Sequence, residues 1–173
     1  MSFRAHILGA AAGGGLPQWN CGCDNCNLAR SGDIPSQTQS SLAVTGDGSA
    51  WAVLNASPDI RQQLADTPVL HPSGLRDLPL RAVLVTNGDI DHIAGLLTLR
   101  EMQPFTLFAT AGIHEVLAQN PIFDALEQRR GRARNHCFDY DPLPLAPGVT
   151  VPRCSRVPGK VPLILRVKRC KRI

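Results

Sequence analysis

Leu80-Arg81-Ala82-Val83-Leu84-Val85-Thr86-Asn87-Gly88-Asp89-Ile90-Asp91-His92 is the stretch on which the fold turns. Residues 80–86 are almost continuously apolar and rich in β-branched side chains, the pattern of a strand buried on both faces. The run stops at the polar cluster 87–92, and residues 93–102 then read as a buried helix. A strand that empties into acids and a histidine at the start of a helix has the form of a ligand-bearing strand end in α/β and sandwich folds. The same residues also suit an acidic helix N-terminus, where carboxylates satisfy free N–H groups, and spacing does not separate the two.

The text on either side continues the alternation of strands and helices. Upstream, residues 2–8 predict a strand that runs into Gly9-Ala-Ala-Ala-Gly13-Gly14-Gly15, a flexible turn. Residues 16–39, rich in Pro, Gly, Asn, Asp and Ser, predict a long loop without structure of its own, the kind usually functional or pinned by a metal. Residues 41–45 and 51–55 flank Gly46-Asp47-Gly48 as a hairpin. Ser57-Pro58-Asp59 predicts a short helix to about residue 65, with Ser57 and Asp59 as its capping residues. Downstream, residues 105–109 predict a strand. Ile113, Val116, Leu117, Phe123 and Leu126 recur at helical spacing within 112–129, interrupted at Asn120-Pro121. The fold class expected is α/β (α+β), with mixed sheets flanked by helices. There is no Walker loop, dinucleotide fingerprint or internal repeat.

A chain of 173 residues with 43% hydrophobic and 18% charged residues is sized for one globular domain. No run approaches the roughly 18–20 apolar residues of a membrane span. The N-terminus lacks the apolar core and cleavage site of a signal peptide, so a cytoplasmic location with reduced thiols is expected. The net charge of +4 hides an asymmetry, because residues 1–152 carry ten Lys and Arg against fourteen acids, whereas residues 153–173 carry eight basic residues and no acid. Such a tail can bind nucleic acid or an anionic membrane. We expect neither, and read it instead as sequence never selected for this fold.

Two clusters can carry chemistry. Cys21-Gly-Cys23-Asp-Asn-Cys26 places three thiols within six residues of a Gly-rich segment, enough to fold around one tetrahedral ion, and the soft donors point to structural zinc. The alternative is three free thiols. Asp24, His6, His71, His114 and His136 are candidates for a fourth ligand, with none preferred. The second cluster, Asp89, Asp91 and His92, offers oxygen and nitrogen donors to a divalent metal while leaving positions open for substrate. Trp19 and Trp51 can stack on an aromatic ligand but are expected to be packing residues, and His114 is expected to be a hydrogen-bonded helix histidine rather than a ligand.

Thr86-Asn-Gly-Asp-Ile-Asp91-His92 is similar to the His-x-His-x-Asp-His motif of the metallo-β-lactamase-like superfamily. Asp91 and His92 match, while Asn87 and Asp89 stand in for the two leading histidines. Residues 9–26, Thr38-Gln-Ser-Ser41, Asn55-Ala-Ser-Pro-Asp59, Gly74-Leu-Arg-Asp77, Asn120-Pro-Ile-Phe123, Phe138-Asp-Tyr140 and Val157-Pro-Gly-Lys-Val-Pro162 resemble the branch of that superfamily that serves pyrroloquinoline quinone (PQQ) biosynthesis. The resemblance implies an αββα sandwich. It also implies hydroxylation of the tyrosine of a small peptide-derived precursor by non-haem iron at Asp91 and His92, with Asp89 as a further ligand, and other PQQ biosynthesis proteins as partners. A rival role in the same branch is carriage of PQQ or its precursor to the periplasm. A single-zinc hydrolase and an inactive remnant are further alternatives.

The family's members are about twice as long. After Pro162 the text Leu-Ile-Leu-Arg-Val-Lys-Arg-Cys-Lys-Arg-Ile no longer resembles them. The organisation expected is an incomplete domain over 1–163, possessing only the first half of the sandwich, followed by an aberrant basic tail over 164–173 from truncation or a frameshift. A half-sandwich would expose one apolar sheet face, so poor solubility or self-association is expected.

Overall fold

A computed structural model describes residues 3–101 and 103–126. The whole basic segment 153–173 with its 164–173 tail, His136, Cys137, Cys154, Cys170 and the motifs at 138–140 and 157–162 lie outside the described residues.

Five strands form one mixed sheet in chain order: β1 (Arg4–Gly9), β2 (Ser41–Thr45), β3 (Trp51–Leu54), β4 (Leu80–Leu84) and β5 (Thr106–Phe108). The first three are antiparallel neighbours, whereas β3–β4 and β4–β5 are parallel. Each parallel step needs a crossover. The helix α2 (Ile60–Ala65) lies in the first, and α3 (Ile90–Ile93) with the 3-10 turns of Ala94–Leu99 makes up the second. After β5 come α4 (Ala111–Ala118) and the 3-10 turns of Pro121–Leu126. Ala43, Val53 and Val83 are paired across the sheet and fully buried, and with Ile60, Leu70, Leu96 and Ile113 they form the core on one sheet face. Among the described residues no helix is long and apolar enough to cross a membrane.

The structure departs from the sequence reading in four places. Residues 16–39 are not without structure, because α1 (Asp24–Ser31) occupies their middle. It starts from extended Cys23, carries Asp24 in its first turn and Arg30 in its last, and ends at left-handed Gly32, whose following N–H, on Asp33, donates to the Leu28 carbonyl at 2.9 Å. The strand β4 is buried on one face only, since Val83 is fully buried while Leu84 is 39% exposed.

The helix expected at 93–102 is one α-helical turn followed by 3-10 turns. The reason is competition for backbone groups. The His92 carbonyl accepts from Ala56 N–H at 2.8 Å, and Gly95 N–H donates to the Ala56 carbonyl at 2.9 Å, so groups that an α-helix would pair internally are spent on the neighbouring segment. Finally, α2 starts at Ile60 rather than at Ser57. Ser57 Oγ accepts from Asp59 N–H, but the Asp59 carboxylate accepts instead from the distant backbone N–H of Gln39 at 2.9 Å.

Candidate metal centres

The three cysteines meet at the start of α1. Cys21 is half-buried, Cys23 exposed and Cys26 buried, all three are free thiols, and their sulfurs lie within 4.8 Å of one another. The helix start brings backbone N–H groups to the Cys23 sulfur, and that of Cys26 contributes most to holding its thiol below the ordinary range. At Cys26 a hydrogen bond from the Gln18 backbone pulls downward, but burial and the sulfurs of Cys23 and Cys21 outweigh it and push the thiol up. Three sulfurs that compete for protons at this separation suit replacement of those protons by one soft cation.

No fourth Asp, Glu, His or Cys joins them among the described residues, so Asp24, His6, His71 and His114 are not brought into the cluster. His71 Nε2 instead bonds the Ala65 carbonyl at 2.8 Å. His114 departs from expectation in another way, because its Nε2 is buried without a hydrogen-bond partner among the described residues. Trp51 is buried in the core as expected of a packing residue, whereas Trp19, beside the thiols, is 86% exposed and does not pack.

The second cluster sits where β4 leaves the sheet. Asn55 lies in the left-handed region (φ 63°), and its side-chain oxygen accepts from both the N–H and the hydroxyl of Thr86, each at 2.9 Å. Asn87 Oδ1 then accepts from Asp89 N–H at 2.8 Å, closing a tight turn. Beyond it, α3 presents Asp91 and His92. Donor atoms of Asp89, Asp91 and His92 lie within 4.8 Å of one another, with Asp89 exposed and the other two half-buried. Asp89 occupies the N-cap position of α3 without a capping bond from its side chain.

His92 Nδ1 is buried and lies 3.0 Å from Asp91 Oδ1, and among the described residues it has no aligned hydrogen bond. Two carboxylates with one imidazole are the donor set of a hard or borderline divalent cation. These residues fit a metal. Sequence spacing therefore found both clusters. It did not find Asn55, Ala56 or Gln39, which hold the loops around them through contacts between distant parts of the chain.

Residues 50–160 match the family described as the β-lactamase superfamily domain. Coenzyme PQQ synthesis protein B of Ruegeria pomeroyi is 62% identical over 159 residues, covering 92% of this chain and 53% of that one. The protein of the same name from Rhizobium meliloti is 52% identical over 165 residues, covering 94% and 54%. This chain thus spans about half the length of the curated relatives it matches. Among solved structures, Zn(2+)-bound PqqB from Methylobacterium extorquens superposes with a TM-score of 0.70 at 58% identity, over 72% of this chain and 46% of that one. A diphosphatase from the PhnP family shares the fold, with a TM-score of 0.56 at 24% identity over 69% and 46%.

Proposed function

The chain belongs to the β-lactamase superfamily, and on that premise we propose that it serves PQQ biosynthesis as a metal-dependent oxygenase component acting on the tyrosine of a small peptide-derived precursor. The observation that carries this reading is the convergence of Asp89, Asp91 and His92, whose donor atoms lie within 4.8 Å of one another, with His92 Nδ1 buried 3.0 Å from Asp91 Oδ1. A hydrolytic dinuclear zinc site of this superfamily uses the two histidines replaced here by Asn87 and Asp89. One imidazole with two carboxylates is closer to the open, oxygen-activating iron sites. Bound iron would supply the activation of dioxygen.

The chain's own residues do the rest. Asp91 and His92 present donors from the first turn of a helix, and Asn55 and Ala56 fix the loop before it and the carbonyl of His92. Exposed Asp89 stands at the open side, where a precursor would enter. Cys21, Cys23 and Cys26 would hold structural zinc that ties residues 16–26 to α1, in a cytoplasm that keeps thiols reduced. Other PQQ biosynthesis proteins are the partners of this reading.

Metal analysis of the purified chain tests it. One zinc lost in Cys23→Ser, and one iron after anaerobic reconstitution that is lost in Asp91→Ala and in His92→Ala, are the expected results, with precursor-dependent oxygen uptake following the iron. Precursor binding with no oxygen uptake by the iron-loaded chain would move it to the carrier role.

A further inference from the structure

The glycine-rich segment after β1 lies against the second cluster. A Cβ on Gly13 would stand 2.9 Å from Asp91 Oδ2 and 3.2 Å from its Cγ, inside the approach that real Cβ atoms make. Gly13 is not among the glycines with positive φ, so this contact, rather than backbone conformation, is what favours glycine there. Asp91 Oδ1 faces His92 on one side and Oδ2 faces Gly13 on the other, so the position of the Gly13 backbone bounds where the carboxylate can turn.

That backbone is itself held by a buried amide. Gln39 is 9% exposed, and its Nε2 donates to the Gly13 carbonyl. Its main chain is fixed on both sides by α2 and the residue before it: Gln39 N–H donates to Asp59 Oδ2 at 2.9 Å, and the Gln39 carbonyl accepts from Gln63 Nε2 at 2.7 Å. Gln63 is 2% exposed and also donates to Thr38 Oγ1 at 3.0 Å. The Oε1 atoms of Gln39 and Gln63 have no partner among the described residues, so both amides forgo one hydrogen bond to keep this arrangement. Buried polar atoms left unpaired cost stability and call for an explanation in geometry or function. The segment that supplies Asp59 also supplies Asn55 and Ala56, which fix the loop carrying Asp91 and His92. The glycine segment and the donor loop are therefore referenced to one stretch of chain.

We propose that Gln39, acting through the Gly13 backbone, is a positioning residue for the Asp91–His92 centre, and that Gly13 is glycine to let the Asp91 carboxylate lie in its ligating orientation. The inference rests on the reading of Asp89, Asp91 and His92 as metal ligands. Removing an outer partner of a metal ligand weakens metal binding by about 10- to 100-fold.

Cobalt(II) titration of the full chain tests it, because thiolate-bound cobalt gives a sulfur-to-metal charge-transfer band that cobalt on oxygen and nitrogen donors lacks. Gly13→Ala and Gln39→Met are expected to weaken binding at the oxygen–nitrogen centre by about tenfold or more. The thiolate band and the thermal melt should stay as in the parent. Gly13→Ala adds one methyl at an exposed position and serves where Gln39→Met does not fold. Parent-like affinity in both variants, with Asp91→Ala and His92→Ala abolishing it, would overturn the positioning role and leave the metal centre standing. Equal loss at both centres would overturn it too, since Gln39 would then only hold the N-terminal region together. If Asp91→Ala and His92→Ala bind cobalt like the parent, the ligand reading itself falls.

Discussion

Cys23 and Cys26 show how far a single residue's surroundings alter its chemistry within one cluster. The two thiols are three residues apart, yet the helix start lowers the pKa of the first, whereas for the second burial and neighbouring sulfurs outweigh a favourable backbone contact. A thiol with a lowered pKa is thiolate over more of the pH range below its ordinary value, and only the thiolate is nucleophilic. In the metal-free chain, iodoacetamide at neutral pH should therefore label exposed Cys23 well ahead of buried Cys26, as read by peptide mass mapping. Zinc should protect both. Equal labelling of the two without metal would contradict the contrast. At this scale the donors were legible in the sequence, because Cys21, Cys23, Cys26 and Asp89, Asp91, His92 each fall within one turn or loop, where spacing alone brings them together. Gly13, Gln39 and Gln63 were not, because their role depends on contacts more than twenty residues apart, which no local pattern encodes.

Local pattern also decides which elements were legible. The hairpin of β2 and β3 was, because Ser41–Thr45 and Trp51–Leu54 alternate buried and half-buried residues around a polar turn. In that turn Asp47 Oδ1 accepts from Ser49 N–H at 2.8 Å and from Ala50 N–H at 3.1 Å. The Ala50 and Ser49 N–H groups hold its carboxyl down at about 2, from an ordinary 3.8. A depressed carboxyl stabilises the folded form above its unfolded pKa and stops doing so as pH falls through the folded one. Amide exchange at Ser49 and Ala50 should thus be protected above about pH 4 and become faster as pH is lowered towards 2, after correction for intrinsic rates. Unchanged protection over that window would sink the assignment.

The second half of the 80–102 reading failed for the opposite reason. An apolar run from Ile93 suits a helix, but Gly95 packs its backbone against the carbonyls of Ser57 and Ala56, so close that a Cβ would meet them. Gly95→Ala is expected to destabilise the fold by about 1–3 kcal/mol, an overpacking cost, measurable by urea unfolding. An unaffected midpoint would show that the two segments part freely.

At the scale of the molecule, the sheet has two unlike faces. Ala43, Val53 and Val83 are buried on the helix side, while the residues between them pair as a second row, Ile7–Leu42–Leu54–Leu84, on the other side. Ile7 is 70% exposed and Leu84 39%. A row of large, partly exposed aliphatic side chains gains about 25 cal/mol for each Å² of apolar surface it hides from water, whatever does the hiding. Concentration-dependent self-association is therefore expected, visible as a rising weight-average mass in sedimentation equilibrium. Ile7→Glu and Leu84→Gln should lower that mass. The melting temperature should fall little in Ile7→Glu, because Ile7 sits on an edge strand, is 70% exposed and lies outside the core cluster of the described residues, so a charge there opposes association with little loss of packing. A chain that stays monomeric at every concentration, or variants that associate as the parent does, would show that this face is not what drives the chains together.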